Sequence, residues 1–356
     1  MTDQNPTPPG NGPLSRRAVV TATAWSVPVI AFGVAAPAAS ASCGSPDSRT
    51  YGPGTYDLVL PTCVSQVQFE VIGGGALSAQ GGATTTGSRI VGTLALPSRG
   101  VTLRLVVGAA GTRVNSATQG GVGGAGYGNG GSAPADSRGS IAGGGGTAIL
   151  IGTTPYVVAG GSGGGHVYNA ESGANGWMNT AVLTTTTNGV PFSTGNAGPT
   201  PQNGNGRAFD YVLNGTTQVR PGYGAPGRAA SGATGGAGGN GQAYNANRPN
   251  VTFSGAVSGG NGGNHGTGNA GGGNGGAGSR TVVGTISGVS GGGGGGYAGG
   301  GGGGGVSATG TGGERANMIT GGGAGSSYTG GAGVSVTSTT SPTAGGNQGF
   351  IRISWT

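Results

Sequence analysis

The chain has 356 residues, of which 93 are glycine and 19 are proline, and only 6% of the residues are charged. A glycine-plus-proline content of roughly 30% without a strict three-residue period is typical of low-complexity sequence and excludes a collagen triple helix. The formal net charge is +7, but every basic residue is an arginine and the arginines are scattered. This distribution argues against a nucleic acid as the partner.

Residues 1–41 have the pattern of a cleaved export signal. Arg16 and Arg17 precede a mildly apolar run, and small residues end the run at Ala41, which predicts cleavage before Ser42. The adjacent arginines resemble a twin-arginine signal and are the predicted recognition residues. We therefore predict a secreted or cell-surface protein that the export machinery binds as a precursor and that keeps no membrane segment once mature.

The ordinary secretory route and an uncleaved membrane anchor are the alternatives for this segment. Val19 and Thr21 replace the residues that are commonest in twin-arginine signals, so the ordinary secretory route stays open. About 20 apolar residues can also span a bilayer as an uncleaved anchor. Pro28 and Pro37 interrupt the run and argue against an anchor.

Cys43 and Cys63 are the two cysteines of the chain. In an exported protein an even pair of cysteines predicts a disulfide. A bridge between them would stabilise the fold by about 3 kcal/mol through the loop that it closes. The alternative is two free thiols.

Strand patterns occur at both ends of the chain and between the glycine tracts. Val67, Phe69 and Val71 alternate with polar residues, which is typical of a half-buried strand. Similar patterns cover 56–60, 90–96, 101–107, 147–151, 156–159 and 351–355. These apolar faces need a second sheet to cover them, so we predict an all-β fold.

The densest glycine tract, 290–305, has thirteen glycines among the fifteen residues 291–305. Such tracts are commonly flexible linkers. They can also form polyglycine II helices, with about 3 residues per turn and a rise of about 3.1 Å, in which every hydrogen bond goes to a neighbouring helix. The strands before, within and after the tracts supply a scaffold and favour the packed form. The Ser- and Thr-rich segment 334–343 is interpreted as a loop before the last strand.

Several segments in order resemble one family. The segments are 54–61, 64–75, 143–149, 157–161, 321–328 and 347–353. They resemble bacterial glycine-rich domain proteins and are similar to the glycine-rich extracellular region of the anaplastic lymphoma kinase and leukocyte tyrosine kinase receptors. The resemblance implies a tumour-necrosis-factor-like jelly-roll β-sandwich with an inserted polyglycine II helix bundle. It also implies a binding role, because the receptor region binds a cytokine and bacterial and phage relatives serve in surface adhesion.

The predicted organisation follows from these patterns. Residues 1–41 are the signal, 42–110 hold the first strands of the sandwich, 111–345 form the glycine-rich region and 346–356 form the closing strand. The glycine-rich region contains a hairpin at 147–159 and an insert at 166–250. The insert is rich in Thr, Asn and Tyr and departs from the pattern of the family.

Aromatic residues of the insert form the candidate ligand surface. Exposed aromatic rings beside adaptable polar residues are typical of recognition surfaces, here for a glycan or a protein. The alternative is that these rings cover the ends of the glycine bundle or the sandwich. The residues are Tyr168, Trp177, Phe209, Tyr211 and Tyr223.

The sequence offers no catalytic or metal site. A phosphate-binding loop needs a lysine, and the chain has none. His166 and His265 are the two histidines and stand far apart, without carboxylates or cysteines at ligand spacing. We therefore predict a non-enzymatic binding or structural protein without a cofactor. The alternative is a structural filler of the cell envelope whose glycine tracts are disordered or self-associating.

Overall fold

The computed structural model describes residues 47–76, 86–165, 170–171, 209–213, 216–220, 228–239, 251–284, 286–310, 315–340 and 348–356. All of them belong to one unit, Ser42–Thr356. They form several antiparallel sheets and contain no α-helix, and Asn269–Gly271 forms a short 3-10 turn. The all-β class is confirmed. Within these residues no helix is long and apolar enough to cross a membrane.

The strands are numbered in chain order. They are β1 (Asp47–Tyr51), β2 (Gly54–Val59), β3 (Gln66–Ile72), β4 (Arg89–Ala95), β5 (Thr102–Val107), β6 (Arg113–Ser116), β7 (Asp136–Ile141), β8 (Thr147–Ile151), β9 (Thr154–Ala159), β10 (Ala170–Glu171), β11 (Phe209–Leu213), β12 (Thr216–Arg220), β13 (Val251–Val257), β14 (Arg280–Val283), β15 (Ile286–Val289), β16 (Gly305–Gly310), β17 (Arg315–Ile319), β18 (Val334–Thr340) and β19 (Phe350–Trp355).

The largest sheet has five strands in the order β1-β19-β3-β4-β18. Buried and exposed residues alternate along its strands, because the side chains of successive residues point to opposite faces of the sheet. In β3, Val67, Phe69 and Val71 are buried, whereas Gln66 and Gln68 are exposed. The last strand, β19, lies between β1 and β3 and pairs with both.

A second sheet has four strands in the order β2-β5-β8-β9. Its register places Leu58 opposite Leu103, and Leu105 opposite Ile149. Gly152 has a φ of +62° in the turn between β8 and β9, a conformation that glycine adopts without steric cost.

One hydrophobic core lies between these two sheets. Fully burying a large aliphatic side chain contributes about 1.5–3 kcal/mol, so this core is the main stabilising element of what we call the two-sheet unit. Its buried residues are Leu58, Leu60, Val64, Val67, Phe69, Val71, Ile90, Leu94, Leu103, Leu105, Val107, Ile149, Val157, Ala159, Ile351, Ile353 and Trp355.

The opposite face of the four-stranded sheet is also partly buried. Val106, Ala148, Leu150 and Val158 form a second cluster with Tyr127. The near-continuous burial of β8 follows from this arrangement, because a strand covered on both faces is apolar at nearly every position.

The remaining strands form smaller sheets. One has the order β10-β17-β16-β13, and three are the pairs β6–β7, β11–β12 and β14–β15. Glycine segments lead directly into them: Ser279 precedes β14, and Ser290 follows β15. The glycine segments thus connect the two-sheet unit to these smaller sheets.

The predicted loop at 334–343 is wrong over most of its length. Residues Val334–Thr340 form β18, which pairs with β4 and has a register shift between Val336 and Ser338. The β-branched Val and Thr residues of this segment favour extended structure. The edge of β4 supplies the backbone partners, and Val334 packs against the core.

Candidate functional site

Ten glycine-rich segments hydrogen-bond to one another, and we call them the glycine array. They are 73–75, 108–112, 120–131, 141–146, 160–165, 228–239, 259–263, 271–279, 290–304 and 320–326. The segment 228–239, at the end of the predicted insert, is part of this array.

The N–H groups of Gly291–Gly296 follow a three-residue repeat. Residues 291 and 294 donate to the segment 320–326, residues 292 and 295 donate to 141–146, and residues 293 and 296 donate to 271–279. Residues three positions apart therefore donate to the same neighbouring segment.

The C=O groups of the same six glycines are also all bonded. Residues 291 and 294 accept from 299–304, residues 292 and 295 accept from 160–165, residue 293 accepts from 120–131, and residue 296 accepts from 271–279. Five other segments, and the stretch 299–304 further along the same segment, thus surround these six glycines. No backbone polar group of these six buried residues is left without a partner, which is what burial of a polar group requires.

Side chains are excluded from this segment by its neighbours. A Cβ atom built on any of Gly291–Gly296 would lie well below 3.0 Å from a backbone oxygen of an adjacent segment. Real Cβ atoms essentially never approach that closely. The uninterrupted glycine sequence is therefore a packing requirement.

Asparagine side chains complete the hydrogen bonding at one border of the array. Oδ1 of Asn261 accepts from the N–H of Gly238 at 2.7 Å, and Oδ1 of Asn264 accepts from the N–H of Gly235 at 2.9 Å. Donors and acceptors are both three residues apart. An amide oxygen thus takes the place that a further backbone carbonyl would occupy.

Buried hydroxyl groups close one end of the array, where it meets β14, β15 and β16. The Ser290 hydroxyl accepts from the N–H of Ser279 and lies 2.6 Å from the carbonyl oxygen of Gly303. The Thr320 hydroxyl accepts from the N–H of Gly304 at 3.0 Å. These hydroxyls bond backbone groups at the points where glycine segments end.

Aromatic rings close the other end, next to the four-stranded sheet. The rings of His265 and Tyr297 stack with centroids 3.9 Å apart, and those of Tyr297 and Tyr328 stack at 4.3 Å and 9°. Tyr127 is buried beside them. We call these four residues the aromatic cluster.

The aromatic cluster perturbs the ionisation of its members. Burial, together with the nearby phenols of Tyr297 and Tyr328, raises the pKa of Tyr127 to about 12. Burial and Tyr328 also raise the pKa of Tyr297. Burial thus favours the neutral phenol in Tyr127 and Tyr297. The Nδ1 atom of His265 is buried without a partner among the described residues.

Most predicted site residues lie outside the described part of the chain. This holds for the signal residues Arg16 and Arg17, for the cleavage residues Ala41 and Ser42, for Cys43, and for Tyr168, Trp177 and Tyr223 of the insert.

Three predicted residues are described. Phe209 and Tyr211 lie two positions apart on β11, opposite Arg220 and Gln218 of β12. Cys63 is partly buried against the core and is not a free thiol. Its predicted bridge to Cys43 stays a prediction.

Sequence reasoning did not single out the aromatic cluster. The sequence does contain a feature that points to Tyr297, because this tyrosine is one of two residues that interrupt thirteen glycines. The spacing of Asn261 and Asn264 is a second such feature, since it equals the three-residue repeat of the glycine segments. No feature of the sequence points to Tyr127. Among the described residues no group of three or more His, Cys, Asp or Glu side chains could hold a metal ion.

The chain was compared with protein-family models and with curated proteins. No protein-family model matches it, and no curated protein matches it either. The resemblance to the glycine-rich domain proteins therefore stays a prediction.

Proposed function

We propose that the chain is an exported, non-enzymatic binding protein of the cell surface or the secreted fraction, with a role in adhesion. The two-sheet unit is a jelly-roll β-sandwich, and the glycine array is a bundle of polyglycine II helices. The insert at 166–250 carries the aromatic surface that recognises a glycan or a protein.

The hydrogen bonding of Gly291–Gly296 carries this proposal. A helix of three residues per turn sends successive N–H groups in three directions, and the three-residue repeat of donors agrees with that geometry. Fixing the backbone of one residue costs about 1–2 kcal/mol. Saturated hydrogen bonds of this kind argue against a filler with disordered glycine tracts and agree with a rigid support for a binding surface.

The two sheets support the sandwich. Five and four antiparallel strands enclose one shared core, as two layers in a jelly roll do. The small sheets at the other end of the glycine segments carry the long connections of the chain, including both ends of the insert.

The first test is the intact mass of the secreted protein before and after a timed protease digest. We expect a chain that begins at Ser42 and lacks two hydrogens, as the Cys43–Cys63 bridge requires, and a resistant core that includes the glycine segments. Rapid loss of 111–345 would contradict the bundle and favour the envelope filler.

The second test measures binding of the labelled protein to whole cells. We expect saturable binding that falls when Trp177 and Tyr211 are both replaced by alanine. Tyr56→Ala is the matched control, because Tyr56 is an exposed tyrosine of the two-sheet unit. Binding that does not saturate, or that falls equally with Tyr56→Ala, would contradict the proposed recognition surface.

A further inference from the structure

A groove of about 370 Å³ lies on the two-sheet unit, at the end of the five-stranded sheet where β1 and β3 begin and β19 ends. Pockets for small molecules span roughly 300–1,000 Å³, so its size suits a small ligand. The lining residues are Asp47, Ser48, Cys63, Ser65, Gln66, Val67, Gln68, Ser354, Trp355 and Thr356.

The register of three adjacent strands builds the floor of this groove. Ser48 on β1 lies opposite Ser354 on β19, and Ser354 lies opposite Gln68 on β3. Residues directly opposite each other share one face of the sheet. Two short serine side chains thus stand beside the longer Gln66 and Gln68, which leaves a trough along β1 and β19.

The charges of the groove are balanced within the protein. Asp47 is the one acidic side chain among the lining residues that the structure describes, and its carboxylate lies 3.0 Å from the guanidinium of Arg49. That guanidinium lies 5.5 Å from the centre of the Trp355 ring. No arginine or histidine is among the described residues that line the groove, so these residues offer no cation to a phosphate or a carboxylate ligand.

Apolar and peptide ligands fit the groove poorly. Val67 is 1% exposed and Trp355 is 7% exposed, so little apolar surface is available to cover a hydrophobic ligand. A peptide that extends a sheet pairs with a free strand edge. β1 is the edge strand of the sheet, but the floor is formed by the faces of β1, β19 and β3, which are paired with one another, so it offers mainly side chains.

Amide and hydroxyl groups remain as the recognition chemistry. The glutamine amides donate and accept hydrogen bonds, and serine and threonine hydroxyls do the same. A ligand that matches them is uncharged and carries many hydroxyl groups. We propose that this groove binds a neutral saccharide, at a site separate from the aromatic surface of the insert.

The test uses the fluorescence of Trp355 in the full chain. Trp25→Phe and Trp177→Phe leave Trp355 as the sole tryptophan. Maltotriose, cellotriose and mannotriose are titrated in turn, with trigalacturonic acid as a charged comparison. We expect a saturable change with at least one neutral trisaccharide and none with the charged one.

Substitutions then locate the site. Gln66→Ala with Gln68→Ala is expected to weaken binding at least tenfold without a change in melting temperature, since both side chains are exposed. Ser335→Ala is the control, because Ser335 is exposed on the same sheet, outside the groove, at its edge strand β18.

Three results would overturn the saccharide site. They are no saturable change with any neutral trisaccharide, a stronger response to the charged one, or binding that survives the double glutamine substitution. Each would leave the recognition surface of the insert standing, because whole-cell binding and its loss with Trp177 and Tyr211 test that surface separately.

Discussion

Gly293 of the array and Gly52 outside it differ sharply in the space that is available for a side chain. We expect Gly293→Ala to lower the free energy of unfolding by about 3 kcal/mol, at the upper end of the range for overpacking a core. The added Cβ would collide with the carbonyl oxygen of Gly300, and that oxygen is held by its own hydrogen bond from Gly276. Unfolding in urea measures the change.

Gly52→Ala is the matched control for this substitution. A Cβ on Gly52 has no other atom within 4 Å. The free energy of unfolding should change by no more than about 0.5 kcal/mol, as for an ordinary surface substitution. Equal effects of the two substitutions would contradict the close packing of the array.

Tyr127 makes stability depend on pH in the alkaline range. A tyrosine of the unfolded chain loses its proton near pH 10, whereas the folded protein holds that of Tyr127 until about pH 12. The unfolded chain releases the proton first, so the contribution is complete below about pH 10 and is lost as the pH rises towards 12. We expect Tyr127→Phe to reduce this fall. Unfolding midpoints at several pH values test it, and an unchanged slope would refute it.

At the scale of the segment, the asparagine spacing carries its own prediction. Asn261→Ala with Asn264→Ala leaves the N–H groups of Gly238 and Gly235 without their acceptors. We expect a loss of about 1 kcal/mol per site. Asn→Asp at both positions keeps an acceptor oxygen and should restore most of the stability. If the aspartate variant is as unstable as the alanine variant, the oxygens are not the cause.

Elements with alternating sequence could be predicted, and those without it could not. Val67, Phe69 and Val71 of β3 identified a strand before any contact was known. The sequence of β1 lacks such a pattern, because this edge strand is mostly exposed. For β18 the Ser and Thr residues suggested a loop, since the favourable edge of β4 is invisible in the local sequence.

The partners within the glycine array could not be predicted either. Gly291 to Gly296 are chemically identical, yet each bonds to a different place. Only the geometry of the surrounding segments distinguishes them. The aromatic cluster has the same limitation, because His265, Tyr297 and Tyr328 come from three segments that meet only in the folded chain.

At the scale of the whole molecule, the array should resist exchange of its amide hydrogens. The N–H groups of 291–296 are buried and bonded to other segments, so they open only when several segments separate. We expect protection comparable to that of β3 in the core. Hydrogen exchange followed by mass spectrometry measures it, and exchange as fast as in a free peptide would contradict the bundle.

The position of β19 has a consequence for when the protein folds. This strand, formed by residues 350–355, lies between β1 and β3, so the largest sheet is complete only after nearly the entire chain has left the ribosome. The array adds further long-range closures, such as the bond between Gly144 and Gly295. Chains dominated by such distant contacts fold slowly. We therefore expect a long-lived unfolded nascent state, which gives chaperones time to bind before the glycine segments come together.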